Sequence, residues 1–259
     1  MNFNINEIKE RLEKVKVIYT DIDGTFVHNG CLFCTKYGFT LKNASAIYDL
    51  LSAGVDIVMT SGREKEKLKD TARLLGFKNY IANLGIEIVY DQGQKVITNF
   101  GVDLPDRDRL KLWNKETGVV AHIFKRYHGK VKYYKPWSDI LTTHHLLVGE
   151  LDFPEVSTFI DQEYPEIRII DNGAVSATET FKHPHAYHIV PRQVGKKSAV
   201  AIDKRERSLK KENLIGEVAV FFLLDPTVVT HRENVIYIKN DDSGGFHRIV
   251  TFLKKNNLI

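Results

Sequence analysis

Apolar residues in this chain fall in short runs that end at polar turns, and the runs alternate with stretches of helical spacing. The run VKVIYTDIDG (15–24) is β-branched and apolar until it breaks at two acids and a glycine. A buried strand of a parallel sheet ends this way where it enters a functional loop. Residues 41–53 follow with apolar positions at Ala44, Ile47, Leu50 and Leu51, a helical spacing that Gly54 terminates. VDIVMTSGR (55–63) predicts a second buried strand, EKEKLKDTARLLGF (64–77) a second amphipathic helix, and KNYIANLG (78–85) the end of a third strand. This alternation predicts a parallel sheet with right-handed crossovers.

From residue 87 the pattern changes. EIVYDQGQKVITNF (87–100) reads as two extended runs around Asp91-Gln92-Gly93, a hairpin signal. Helices are predicted near 119–127 and 153–162, separated by KVKYYK (130–135) and HHLLVGEL (144–151). HPHAYH (183–188) predicts a hinge strand, with His183 and His185 on one face and His188 on the other. AYHIVPRQ (186–193) then leads to a helix in GKKSAVAIDKRERSL (195–209). Two buried strands in GEVAVFFLLD (216–225) and NVIYIKN (234–240) precede a closing helix in GGFHRIVTFLKK (244–255). The expectation is an α/β protein with a Rossmann-like parallel-sheet core, residues 1–86 and 184–259, interrupted by an α+β cap, residues 87–183. Such a cap would close over a site, exclude water and select the substrate. Tyr133, Tyr134, Trp137, His144 and His145 are its candidates to face a cleft.

Composition narrows the class of partner. The chain has 259 residues, enough for a sizeable core, and its 37 basic and 33 acidic residues are interspersed. No clustered basic face is expected, so a nucleic-acid partner is not. No run of about eighteen apolar residues and no secretory leader is visible, so neither a membrane span nor export is expected and the default compartment is cytoplasmic. Oligomeric state is left open. Cys31 and Cys34 lack two further zinc ligands nearby; a redox pair is the alternative, and two ordinary thiols are expected.

The chemistry concentrates in Asp21-Ile22-Asp23-Gly24-Thr25. Two carboxylates just past a buried strand lie where open α/β sheets bind ligands. One, Asp21, can accept a phosphoryl group as a nucleophile. The other, Asp23, can protonate the leaving alkoxide and then deprotonate water. Gly24 permits a tight turn, and Thr25 offers a hydroxyl to fix it. Carboxylates this close repel unless a cation lies between them, which points to Mg²⁺ in a shell of oxygen ligands.

Read with the segments around it, this stretch resembles the haloacid dehalogenase superfamily of phosphohydrolases, whose first motif is DxDGT after a hydrophobic strand. The resemblance covers essentially the whole chain. It implies a hydroxyl on a phosphoryl oxygen from VMTSGR, Ser61 or alternatively Thr60, with Gly62 beside it. It implies a lysine that neutralises nucleophile and phosphate from VGKKSAV, Lys196 with Lys197 as second choice. The spacing is similar to the branch with a large α/β cap, which includes sugar-phosphate and mannosyl-phosphoglycerate phosphatases. On that likeness YIANLGIEI (80–88) resembles the segment xIxxNGAxI, and Asn83 would sit beside the phosphate. Arg63 would be a structural or substrate contact, or simply a solvated charge at a helix start.

The fourth motif is where the resemblance departs. Counting back from Asn240, a Gly-Asp pair that should supply a metal carboxylate falls on Val220-Phe221, and the second acid falls on Asp225. A register on Gly216-Glu217 leaves too long a gap to Asp225. Mg²⁺ would then rest on Asp21, the carbonyl of Asp23, and Asp225; Asp225 also reads as a helix cap before Pro226, and it could serve as both. The resemblance implies a Mg²⁺-dependent phosphomonoester hydrolase acting on a small phosphorylated metabolite through an aspartyl-phosphate. Phe221 raises the alternative of a weak or silent phosphometabolite-binding protein, and the same scaffold would serve a phosphotransferase or phosphomutase.

Overall fold

The computed structural model describes residues 16–35, 37–100, 118–209, 214–215 and 245–255. Its chain divides into two compact units, residues 1–97 with 199–259 and residues 98–198.

In the first unit, strand β1 (Val17–Thr20) is followed by a short hairpin, β2 (Cys34–Thr35) and β3 (Gly38–Phe39). Helix α1 (Lys42–Ser52), β4 (Asp56–Thr60), α2 (Lys65–Leu75) and β5 (Tyr80–Ala82) come next. The alternation of these elements matches the spacing of their apolar runs. Glu64 caps α2 by accepting from the N–H groups of Glu66 and Lys67, and Gly76 closes it with φ +75°. Strands β6 (Glu87–Tyr90) and β7 (Lys95–Thr98) then form the hairpin around Asp91–Gly93.

The sheet runs β12-β1-β4-β5-β6-β7, where β12 is Leu214–Ile215. It is parallel from β12 to β5, with Val17 opposite both Asp56 and Leu214 and Met59 opposite Tyr80. β6 turns back antiparallel, pairing Glu87 with Ala82. The sheet is therefore mixed, where a purely parallel one was expected, and the hairpin 87–98 belongs to it rather than to the cap.

Alternate strand residues serve opposite faces, as a period of two requires. Ile18, Ile57, Met59, Tyr80 and Val89 pack against α1, α2 and the closing helix α6 (Gly245–Lys255), which supplies Phe246, Val250 and Leu253. Val17, Tyr19, Val58, Ile81 and Ile88 face Ala199 and Val200 of helix α5 (Lys196–Glu206). Both faces are covered, which is why these strands read as unbroken apolar runs. Tyr19 donates to Asp203 of α5 at 2.5 Å, and Arg207 links Asp203 to Asp56. Burial, then the Asp203 charge, pushes the Tyr19 phenol far up, so it remains a donor.

The second unit has its own sheet, β10-β11-β9-β8. Its strands are β8 (Val131–Tyr133), β9 (His145–Gly149), β10 (Ile167–Ala174) and β11 (His185–Pro191), all antiparallel. Helices α3 (Val119–Arg126) and α4 (Phe153–Glu163) cover one face through Val120, Ile123, Val156, Phe159 and Ile160 against Leu147, Ile167, Tyr187 and Ile189. At Gly149 an added Cβ would lie 2.1 Å from the Lys130 carbonyl, so this strand end admits only glycine.

These facts move the expected boundaries of 86/87 and 183/184. The chain leaves the first unit after β7, and β11 lies in the middle of the second sheet instead of acting as a hinge. Of the five residues expected to face a cleft, Tyr133, Tyr134, His144 and His145 are buried or partly buried. His144 and His188 are buried and share a hydrogen bond of 2.9 Å between Nε2 and Nδ1. His145 is buried, and Tyr133 packs edge-on against Phe124. Tyr134 is partly buried against Leu141, Leu146 and Ala186, while Trp137 is exposed. Cys31 and Cys34 are joined in a disulfide rather than free, beside the backbone pair His28–Cys31. The expected strands at 216–225 and 234–240 lie outside the described residues.

Candidate active site

β1, β4 and β5 run parallel, so their carboxyl ends emerge on one side of the sheet. The chain leaves β1 toward β4 on one flank and returns to pair β12 on the other, which makes β1 the switch point where open α/β sheets bind ligands. Asp21, Ser61 and Asn83 are each the first residue past one of these three strands.

Beyond β1 the chain coils into a tight turn. The N–H groups of Thr25, Phe26 and Val27 all point to the Ile22 carbonyl at 3.1–3.2 Å, and Gly24 takes φ +75° to allow it. The Asp21 carboxylate is partly buried and accepts from the Ile22 N–H at 2.7 Å. Thr25 is fully buried inside the turn. Asp23 reaches outward with its side chain 54% exposed.

Arg63 answers Asp23 directly. Its Nε donates to Asp23 Oδ2 at 2.8 Å while Nη2 donates to Oδ1, a forked pair. Of the readings open for Arg63, the pair fits a structural contact and not a merely solvated charge: its guanidinium joins the ends of β1 and β4.

The two hydroxyls after β4 differ in what they are free to do. Thr60 donates to the Thr20 carbonyl at 3.2 Å, bracing β4 against β1. Ser61 accepts from the Arg63 N–H at 3.1 Å, and that bond leaves its own proton uncommitted. Gly62 lies under Leu84, whose Cδ2 would be 3.1 Å from an added Cβ.

Asn83 is buried, and its amide donates to Glu87 Oε2 at 2.5 Å. One of its N–H groups thus faces the protein. Counted from Gly85, the motif's asparagine position falls on Leu84, one residue further on, so Asn83 is the neighbour of that position. Glu87 itself left no signal in the sequence beyond being an acid in an apolar run.

Lys196 is the first residue of α5 and is partly buried, whereas Lys197 is exposed. Lys196 falls in the second unit and Asp21 in the first. Phe221 and Asp225 lie outside the described residues. For a magnesium ion, the Asp21 carboxylate and the Asp23 carbonyl are hard oxygen donors of the right chemistry. Among the described residues no three His, Cys, Asp or Glu side chains form a metal site.

Parallel strands with a partly buried carboxylate at their switch point, a hydroxyl at the next strand end and a separate α+β unit make up an α/β protein whose ligand site lies at the carboxyl ends of its strands. Residues 18–163 match the family of haloacid dehalogenase-like hydrolases, and the chain belongs to it. No curated protein matches. Among solved structures, a Thermoplasma acidophilum protein aligns at a TM-score of 0.62 with 13% identity, over 95% of this chain and 99% of that one. A phosphatase of this superfamily from Bacteroides thetaiotaomicron aligns at 0.56 with 15% identity, over 95% and 97%. A subclass IIB sugar phosphatase aligns at 0.58 with 15% identity, over 95% and 100%. Identities this low establish a shared fold.

Proposed function

We propose that the protein is a phosphomonoester hydrolase that acts on a small phosphorylated metabolite, a sugar phosphate or a compound like it. One observation carries the reading: Asp21 stands at the switch point, its carboxylate fixed by the Ile22 N–H, with Asp23 two residues away and Ser61 at the neighbouring strand end. Fold likeness to two phosphatases supports it.

In this reading an Asp21 oxygen attacks phosphorus in line and the ester oxygen leaves, taking a proton from Asp23. Asp23 then takes a proton from water as that water attacks the aspartyl-phosphate and frees Asp21. Ser61 donates to a phosphoryl oxygen, and Lys196 neutralises the charge of nucleophile and phosphate. Thr25 and Gly62 shape the turns around the phosphoryl group. Arg63 must loosen its hold on Asp23 for proton transfer, and a half-exposed pair of this kind is worth only about 1 kcal/mol. Magnesium would be held by Asp21, the Asp23 carbonyl and Asp225, and would offset the negative charge gathered there.

The test is phosphate release from sugar phosphates, phosphoglycolate and p-nitrophenyl phosphate, in Mg²⁺ or EDTA. We expect turnover that needs Mg²⁺ and falls by at least about 10³-fold in Asp21→Asn with the fold intact. A folded wild type that releases nothing but binds phosphate esters would favour the binding-protein reading that Phe221 raises.

A further inference from the structure

Glu87 is a charged residue in the wrong place for a bystander. It opens β6 and is 1% exposed, in a strand whose four residues are all buried. A carboxylate there is costly unless it is paired and hydrogen-bonded. Both conditions are met. Asn83 donates to Oε2 at 2.5 Å, and the Lys65 ammonium lies 3.5 Å from Oε1.

Lys65 is itself an anomaly. It is the first residue of α2, where the helix dipole favours acids, and its neighbours Glu64 and Glu66 are acids. Its partners at that spot are Glu66 and Glu87.

What these three residues join is the pair of loops beyond β4 and β5. The main chain already connects them: Ser61 N–H to Ile81 O at 2.9 Å, Asn83 N–H to Arg63 O at 2.9 Å, and Leu84 N–H to Ser61 O at 3.1 Å. Holding those bonds requires Asn83 and Leu84 to adopt φ of 51° and 59°, a left-handed pair that non-glycine residues rarely take. The Asn83 amide is fixed by Glu87, and the start of α2, two residues past Arg63, is held by Lys65.

We propose that Glu87 is a positioning residue: through Asn83 and Lys65 it holds the Ser61-Gly62-Arg63 loop in the geometry that receives a phosphoryl group. The role of that loop rests on the hydrolase reading, but its order does not. Glu87→Gln keeps an acceptor oxygen for Asn83, whereas Glu87→Ala removes that acceptor and leaves Lys65 paired with Glu66 alone of its two carboxylates.

Backbone amide exchange of Asn83 and Leu84, read by NMR on the intact chain, tests the loop's order independently of activity. We expect exchange at least 10-fold faster in Glu87→Ala and within 3-fold of wild type in Glu87→Gln, with remote strand amides such as Ile18 unchanged. Steady-state turnover of p-nitrophenyl phosphate should show kcat falling about 10- to 100-fold in Glu87→Ala, with recovery in Glu87→Gln. Unchanged exchange in a folded Glu87→Ala protein overturns the proposal. So does exchange that accelerates equally at every amide, because that is global destabilisation. If wild type releases no phosphate while the two amides loosen selectively, the hydrolase reading fails and the positioning role stands.

Discussion

At the residue scale, the motif points to Ser61 with Thr60 as the other possibility, and hydrogen bonding sets the two hydroxyls apart. Thr60 and Ser61 are adjacent and both buried, so spacing cannot choose between them. Thr60 donates to β1, while Ser61 accepts and keeps its proton. Thr60→Ala should therefore cost about 1 kcal/mol of stability, the usual net worth of a hydrogen bond, and leave turnover near wild type. Ser61→Ala should leave the denaturation midpoint nearly unchanged and reduce kcat/KM about 10-fold or more, since its bond is to a charged group. Urea titration and kinetics on both variants check the pair, and the opposite assignment of effects would restore Thr60 as the ligand. Lys196 is partly buried and Lys197 exposed, a difference that their order along the chain does not carry. Glu87 was not legible, because its partner Lys65 is twenty-two positions away and only the sheet brings them together.

At the scale of elements, the alternation of β1, β4 and β5 with helices was readable because those strands are buried on both faces, and α2 is capped by Glu64 at its start and Gly76 at its end. The antiparallel return of β6 was not. Its turn, Asn83-Leu84-Gly85, takes the same succession of positive φ as Asp91-Gln92-Gly93, 51°, 59° and 97° against 48°, 57° and 109°. The second of these looked like a turn because its residues are polar. The first hides a leucine in the left-handed region, held there by burial against Gly62.

In the second unit, His188 of β11 is buried against His144, and burial pulls its pKa down to about 4. The unfolded chain, titrating near 6.5, binds the proton first as pH falls. Stability is therefore fully present above about pH 6.5, declines between 6.5 and 4, and levels below, by on the order of 3 kcal/mol. Denaturant melts at pH 7.5, 5.5 and 4.5 should show this slope in wild type and a flatter one in His188→Gln. Parallel slopes in the two proteins would remove His188 as the cause.

For the whole molecule, the second unit is a single stretch of chain with its own apolar core. Residues 98–198 expressed alone should melt cooperatively, with far-UV and near-UV circular dichroism changing together. A non-cooperative melt would show that this core is insufficient by itself. The first unit has no such stretch. β1 pairs with Leu214–Ile215, and α1 packs on α6, where Lys254 meets Asp49 at 2.9 Å. This gives the protein an order of assembly on the ribosome. Asp21 and its turn are translated early, yet β1 waits for a neighbour made almost two hundred residues later. In that interval residues 98–198 are completed and can fold. A growing chain halted after residue 198 and before residue 214 would carry a finished second unit and an unclosed first sheet, with one flank of β1 open to whatever chaperone or strand reaches it first.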